Sequence, residues 1–288
     1  MQNKTIPELD KLFLEIGTYR KGTEFMELLE FVKKFPHIAP YNAMLVHVQK
    51  PGSQYVCSAS EWRSKYYRDI KPGARPLVIL RPFGPVAFVF ELFDTDGRPF
   101  PKELTFEIEG DVSDDNFNNI ISNLKCDGIS YNEADHGVSS AGFTQISQSK
   151  REQTIIRKKK EIQVEIRVKV LYDLVVNRNY SREIKFATIL HEIGHIYCGH
   201  LGTPHEKWWH ARSDLDRNIK EFEAESICWL VCGRLGIKNP SARYLIGYLN
   251  SNEEIPYISI DTVLKAAGAI ESLLRPGKEP RKEIVVNS

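Results

Sequence analysis

Across 288 residues, 39 Lys or Arg are matched by 38 Asp or Glu, so a net charge of +1 gives no global pull toward nucleic acid or a membrane surface. The 42% hydrophobic and 27% charged content is that of an ordinary globular chain, long enough for one large or two ordinary domains. No apolar run reaches membrane-span length, no signal-peptide core follows Met1, and five cysteines (57, 126, 198, 228, 232) at unrelated spacings fit reduced thiols in a cytoplasmic compartment.

Residues 8–35 read as one helix, with Leu9, Leu12, Phe13 and Ile16 and then Phe25, Leu28, Leu29 and Val32 on its apolar face; Gly17 and Gly22 weaken its middle. Ala43–Val48 continues helically until Pro51-Gly52 stops it, and Ser60 caps a short helix holding Trp62 and Tyr66. Leu77–Leu80 and Val86–Phe93 are strand-like about a Pro-Phe-Gly-Pro turn, and Asp94–Pro99 reads as another turn. Between positions 61 and 81, Arg63, Lys65, Arg68, Lys71, Arg75 and Arg81 outnumber Glu61 and Asp69 and interleave with Trp62, Tyr66 and Tyr67. Cations beside aromatic platforms suit sequence-tolerant binding of single-stranded DNA. A solvated helix face with core aromatics gives the same pattern.

Asp111–Asp115 marks a boundary between an N-terminal α+β domain (1–110) and a second domain (111–288), and caps a helix running through Leu124. The stretch 139–160 is polar and ends in the run Arg157–Lys160, which reads as a solvated loop; Ile162–Val170 then alternates as a half-exposed strand does. Ser181 caps a helix that runs to Cys198 and ends at Gly199. Helices at Glu221–Leu235, Ser241–Leu249 and Ile260–Leu274 form a C-terminal cover, and the polar tail from Arg275 reads as frayed.

The helix after Ser181 carries His191-Glu192-Ile193-Gly194-His195. Histidines at i and i+4 share one face and can bind one metal ion, while Glu192, about 100° round the helix, can serve a water as general base. Gly194 leaves room for a second backbone nearby. A zinc hydrolase also needs a third protein ligand and one open position. Lys220-Glu221-Phe222-Glu223-Ala224-Glu225 supplies the acids: Glu221 and Glu225 share a face, so one can bind metal while the other bonds a ligand histidine, and Glu223 points away. The order of preference is Glu221, Glu225, Glu223.

From about Gly128 onward the chain resembles the ImmA/IrrE metallopeptidases, through Phe186–His200, Trp208–Arg212, Glu221–Glu225, Gly128–Tyr131 and the strand ending at Asn177. That resemblance implies a zincin-like fold (a small mixed sheet, the H-E-x-x-H helix and a glutamate-ligand helix) with one Zn2+ on His191, His195 and Glu221 and Glu192 as base. The family commonly has Asn or Asp where this chain has Glu225, which leaves the roles of Glu221 and Glu225 open. Residues 10 to 90, through Tyr41–Leu45, Gln49-Lys50-Pro51, Trp62 and Lys71–Pro76, are similar to the N-terminal domain of ArdC-type antirestriction proteins, a domain associated with single-stranded DNA.

The expected fold is therefore α+β, with the zincin-like domain preceded by a small α+β domain. The expected function is a zinc-dependent endopeptidase of the gluzincin type, acting on a specific protein such as a transcriptional repressor and needing no membrane. His210, Arg212, His200 and Tyr180 are candidates to stabilise the oxyanion. As in other zincins, an extended substrate would add to a sheet edge, here supplied by Arg167–Val176. The alternative is a single-stranded-DNA-binding antirestriction-type protein, with Arg63, Lys65, Arg68, Lys71 and Arg75 on the DNA and a structural or vestigial metal site.

Overall fold

The computed structural model describes residues 22–81, 86–100, 111–135, 141–159, 162–237 and 255–286. The start of the expected 8–35 helix and the expected 241–249 helix lie outside these residues. The described elements are mixed α+β.

α1 (Gly22–Lys33) and α2 (Pro40–Gln49) come first. Pro40 sits in the first turn of α2, where a missing N–H costs nothing. α1 buries Phe25, Leu28, Leu29 and Val32 completely. They belong to one apolar cluster that also takes in Met44, Ile120, Leu174, Leu190, Phe222 and Leu264, so these two helices share a core with the later ones. Arg234, 4% exposed, fastens that junction. Its guanidinium donates to the carbonyls of Val32 (2.8 Å), Phe35 (2.9 Å) and Ile38 (2.7 Å), tying down the chain where it leaves α1, and it is neutralised by Glu271.

Next come β1 (Val56–Cys57), α3 (Ala59–Tyr66), β2 (Arg68–Ile70), β3 (Leu77–Ile79), β4 (Ala87–Glu91) and β5 (Thr95–Gly97). They form an antiparallel sheet ordered β1-β4-β3 and a two-stranded pair β2-β5. Two expectations change here. The cap of α3 is Ser58 rather than Ser60, because Glu61 stands three residues after Ser58 and closes a capping box with it (Glu61 N to Ser58 Oγ 3.3 Å, Ser58 N to Glu61 Oε2 3.2 Å). The stretch expected as a turn at 94–99 contains β5, which pairs Thr95–Gly97 with Arg68–Ile70.

Beyond α4 (Asp114–Leu124), capped by Ser113 Oγ, come β6 (Ile129–Ala134), β7 (Gly142–Ile146), β8 (Glu152–Lys159), β9 (Ile162–Lys169) and β10 (Tyr172–Asn177). β10 lies in the middle of a mixed sheet, parallel to β6 and antiparallel to β7. The expected edge at Arg167–Val176 is thus divided: Arg167 belongs to the separate β8–β9 hairpin, and Tyr172–Asn177 is central, as its apolar run Leu174-Val175-Val176 suits. β7 is an outer strand of that sheet and falls in the stretch read as merely polar; Ser and Gln around it hide the pattern.

α5 (Arg182–Tyr197) and α6 (Arg217–Arg234) pack together, with α7 (Ile260–Leu273) behind them. Ser181 Oγ accepts from Ile184 N at 3.5 Å to cap α5. Gly199, at φ 74°, ends it; a Cβ there would lie 2.0 Å from the His210 carbonyl oxygen, so only glycine lets the loop fold back. The tail is docked rather than frayed. Fully buried Asp127 accepts from Tyr197 Oη, from Lys278 Nζ (2.9 Å) and from Arg281 Nε (2.8 Å), and Ile284 is 2% exposed.

Candidate metal centre

α5 and α6 meet where Gly194 faces Ala224: a Cβ on Gly194 would lie 3.3 Å from Ala224 Cα. That close approach brings Glu221 over the two histidines. Glu221 Oε2 is 3.4 Å from His191 Nε2 and 3.8 Å from His195 Nε2, and the two Nε2 atoms are 3.3 Å apart. Two bonds of about 2.0–2.1 Å at a tetrahedral angle put their donor atoms about 3.3–3.4 Å apart. The two imidazoles and the carboxylate therefore fit a single zinc-sized ion with little adjustment, and the fourth direction opens on a cleft of about 390 Å³. Glu192 lines that cleft with Phe143 and Thr144 of β7.

Each acid of α6 has its own partner. Glu225 Oε2 reaches the far nitrogen of His191, Nδ1, at 3.2 Å, while its Oε1 is buried without a partner. Glu223 does point away from Glu221, as its place on the helix requires, but it points inward. It is fully buried, bonds His200 Nε2 at 2.9 Å, takes both arms of Arg212 at 2.6 Å and accepts from Ser259 N at 2.8 Å. His200 Nδ1 lies 2.9 Å from His195 Nδ1.

The electrostatics follow from these partners. Burial opposes the charged form of His191, but bonds to Glu221 and Glu225, with Glu192 nearby, raise the ring to about 10. The His191 and His195 rings hold the Glu221 carboxyl well below the usual carboxylate range. Burial pushes the Glu192 carboxyl up, against the pull of the two histidines. Burial would also raise Glu223, yet His200 and Arg212 outweigh it and keep the carboxyl low.

The oxyanion candidates separate. His200 touches the cleft but has both ring nitrogens engaged, and Arg212 is spent on Glu223. The His210 side chain is 85% exposed and bonded to Glu206, and neither it nor Tyr180 lines the cleft. Five lining residues escaped the sequence reading: Phe143, Thr144, Leu201, Arg217 and Lys220. Arg217 and Lys220 stand four and one residues before Glu221, a spacing that could have shown them; Thr144 could not be found before β7 was.

Solved structures place the chain beside one kind of protein. It is similar to the antirestriction protein ArdC from plasmid R388. The metal-free ArdC structure aligns with 82% of this chain and 83% of its own at 14% identity and a TM-score of 0.38. The Mn(II)-bound structure aligns with 82% and 86% at 15% identity and a TM-score of 0.34. At those scores the likeness carries no argument about fold or activity. No protein-family profile matches the chain, and no curated protein does. The ArdC part of the resemblance read from the sequence thus has a counterpart, and the ImmA/IrrE part has none.

The expected DNA surface is largely self-compensated. Arg63 pairs with Asp69 (2.8 Å), Lys65 with Glu61 (2.9 Å), Arg68 with Thr95 (Oγ1 2.7 Å), and Lys71 donates to the Phe93 carbonyl (2.9 Å). Trp62 is a core residue, fully buried with Nε1 donating to the Phe90 carbonyl at 2.8 Å. Tyr66 is locked against Tyr55 and Phe100. Tyr67 is the exposed ring of the three, at 60%, with the Arg98 guanidinium 4.3 Å from its centroid; Arg75 and Arg81 are also exposed. Among the described residues, no helix is long and apolar enough to cross a membrane.

Proposed function

We propose that the chain is a metal-dependent hydrolase, a zincin-like metallo-endopeptidase of the gluzincin type that acts on a specific protein substrate, such as a transcriptional repressor. One observation carries this reading: His191 Nε2, His195 Nε2 and Glu221 Oε2 form a triangle with edges of 3.3, 3.4 and 3.8 Å at the floor of a cleft that Glu192 also lines. A Zn2+ held there would polarise a carbonyl oxygen and make a water more acidic. Glu192, on the wall of the cleft, takes the proton of the water that attacks the carbonyl and delivers it to the departing amine. A purely structural site has no need of this carboxylate. Glu225 and His200 orient the two imidazoles, and β7, an outer strand of its sheet among the described residues, lines the cleft beside Glu192 where an extended chain would lie.

The test joins metal content to hydrolysis of a quenched fluorescent peptide library. Wild type should hold zinc near one per chain, Glu192→Gln should keep it and lose cleavage, and Glu221→Ala should lose both. Wild type without metal after supplementation would defeat this reading.

The second reading is a single-stranded-DNA-binding antirestriction-type protein with a structural metal site. The solved structures named above are of an antirestriction protein, too distant to argue from. Its support here is the exposed Tyr67 ring with the Arg98 guanidinium over it, Arg75 and Arg81 being exposed as well. Fluorescence anisotropy of a labelled single strand with the full chain should rise at low salt and fall with added salt; a flat signal would end this reading.

A further inference from the structure

His200 lies outside the donor triangle and is almost sealed from solvent, with its side chain 1% exposed. Its surroundings fix where its protons sit. Both oxygens of Glu223 receive the Arg212 fork at 2.6 Å, and Ser259 N adds a third donor at 2.8 Å, which is the environment of an ionised carboxylate. His200 Nε2, 2.9 Å from Glu223 Oε2, must therefore donate. Arg212 already neutralises Glu223, so a second proton on His200 would place an uncompensated charge in a closed site. His200 Nδ1 is then a lone pair, and the nitrogen 2.9 Å away, His195 Nδ1, must carry hydrogen. A neutral imidazole with hydrogen on Nδ1 has its lone pair on Nε2, the atom that faces His191 and Glu221.

We propose that His200 is a positioning residue that fixes His195 in the Nδ1–H tautomer, through a chain His195 → His200 → Glu223 anchored by Arg212 and Ser259. This inference rests on the metal-centre reading above for its consequence, but the tautomer itself does not. The two histidines are treated differently: His191 Nδ1 meets a carboxylate directly at Glu225, whereas His195 meets one through a second imidazole. Cys198, His200 and Glu223 also lie close enough to suggest a second ion site. The guanidinium of Arg212 on both Glu223 oxygens already supplies the cation there, so the cluster serves the first site.

Two measurements on the full chain test this. In metal-free protein labelled with 15N-histidine, long-range 1H–15N correlations should show His195 protonated at Nδ1 and His200 at Nε2; His195 protonated at Nε2 would overturn the proposal. Zinc affinity, measured by competition with a chromophoric chelator, should fall about 10–100-fold in His200→Leu. His200→Asn, whose Oδ1 can accept in place of Nδ1, should recover most of that loss at an equal thermal midpoint. Unchanged affinity in His200→Leu, with zinc lost in Glu221→Ala, would show His200 to be idle and overturn the proposal. If wild type binds no zinc, the metal-centre reading fails, and the tautomer result alone decides the relay.

Discussion

Two charged regions of this chain use their residues in opposite ways. On α3, two cations find carboxylates close by in sequence: Lys65 takes Glu61 and Arg63 takes Asp69. Around α5 and α6, Glu221, Glu223 and Glu225 each cross to another element for an imidazole, and Glu223 also holds a guanidinium. Local pairing spends charge on solvated contacts of small value. Pairing across packed helices brings a carboxylate and two imidazoles together in a half-buried cleft, where they can bind something.

Breaking each pattern should cost very different amounts. The largest effect is expected from Arg212→Met, which strands the fully buried Glu223; unfolding in urea should show a loss of about 3–5 kcal/mol, and a loss near zero would mean that Glu223 is satisfied without it. Gly194→Ala comes next. Its methyl must displace Ala224, so about 1–3 kcal/mol should be lost, and zinc affinity should fall with it because Glu221 moves off the histidines; an unchanged affinity would detach helix spacing from the centre. Smallest is Arg63→Ala, whose side chain is 80% exposed and whose partner Asp69 is 70% exposed. Stability should stay within about 1 kcal/mol, and any larger change would mean that this surface is part of the core after all.

The metal helix was legible because its signals are local: Ser181, the two histidines four residues apart, and Gly199 all act within α5. The acids of α6 were legible as a cluster, and helical phase separated Glu223 from its neighbours. What phase cannot show is what waits on the other side, here His200 and Arg212 from a loop that returns only because Gly199 permits it. The central position of β10 and the edge position of β7 were equally invisible, since strand order is a tertiary property. The basic stretch shows the same limit. Its sequence sets Glu61 and Asp69 against six cations, but not that Arg68 reaches across to Thr95 and Lys71 to Phe93.

Asp127 sets an order of events. Its carboxylate is buried against Tyr197, at the last residue of α5, and its cations arrive 151 and 154 residues later in the chain. While the protein is being synthesised, Asp127 and the finished α5 leave the ribosome long before Lys278 and Arg281 do. Until those two emerge, closing the core over Asp127 would trap an unneutralised charge, so that end of the helix must stay hydrated. His195 stands two residues before Tyr197, so the histidine-bearing end of α5 is thereby completed late, after the tail has come round.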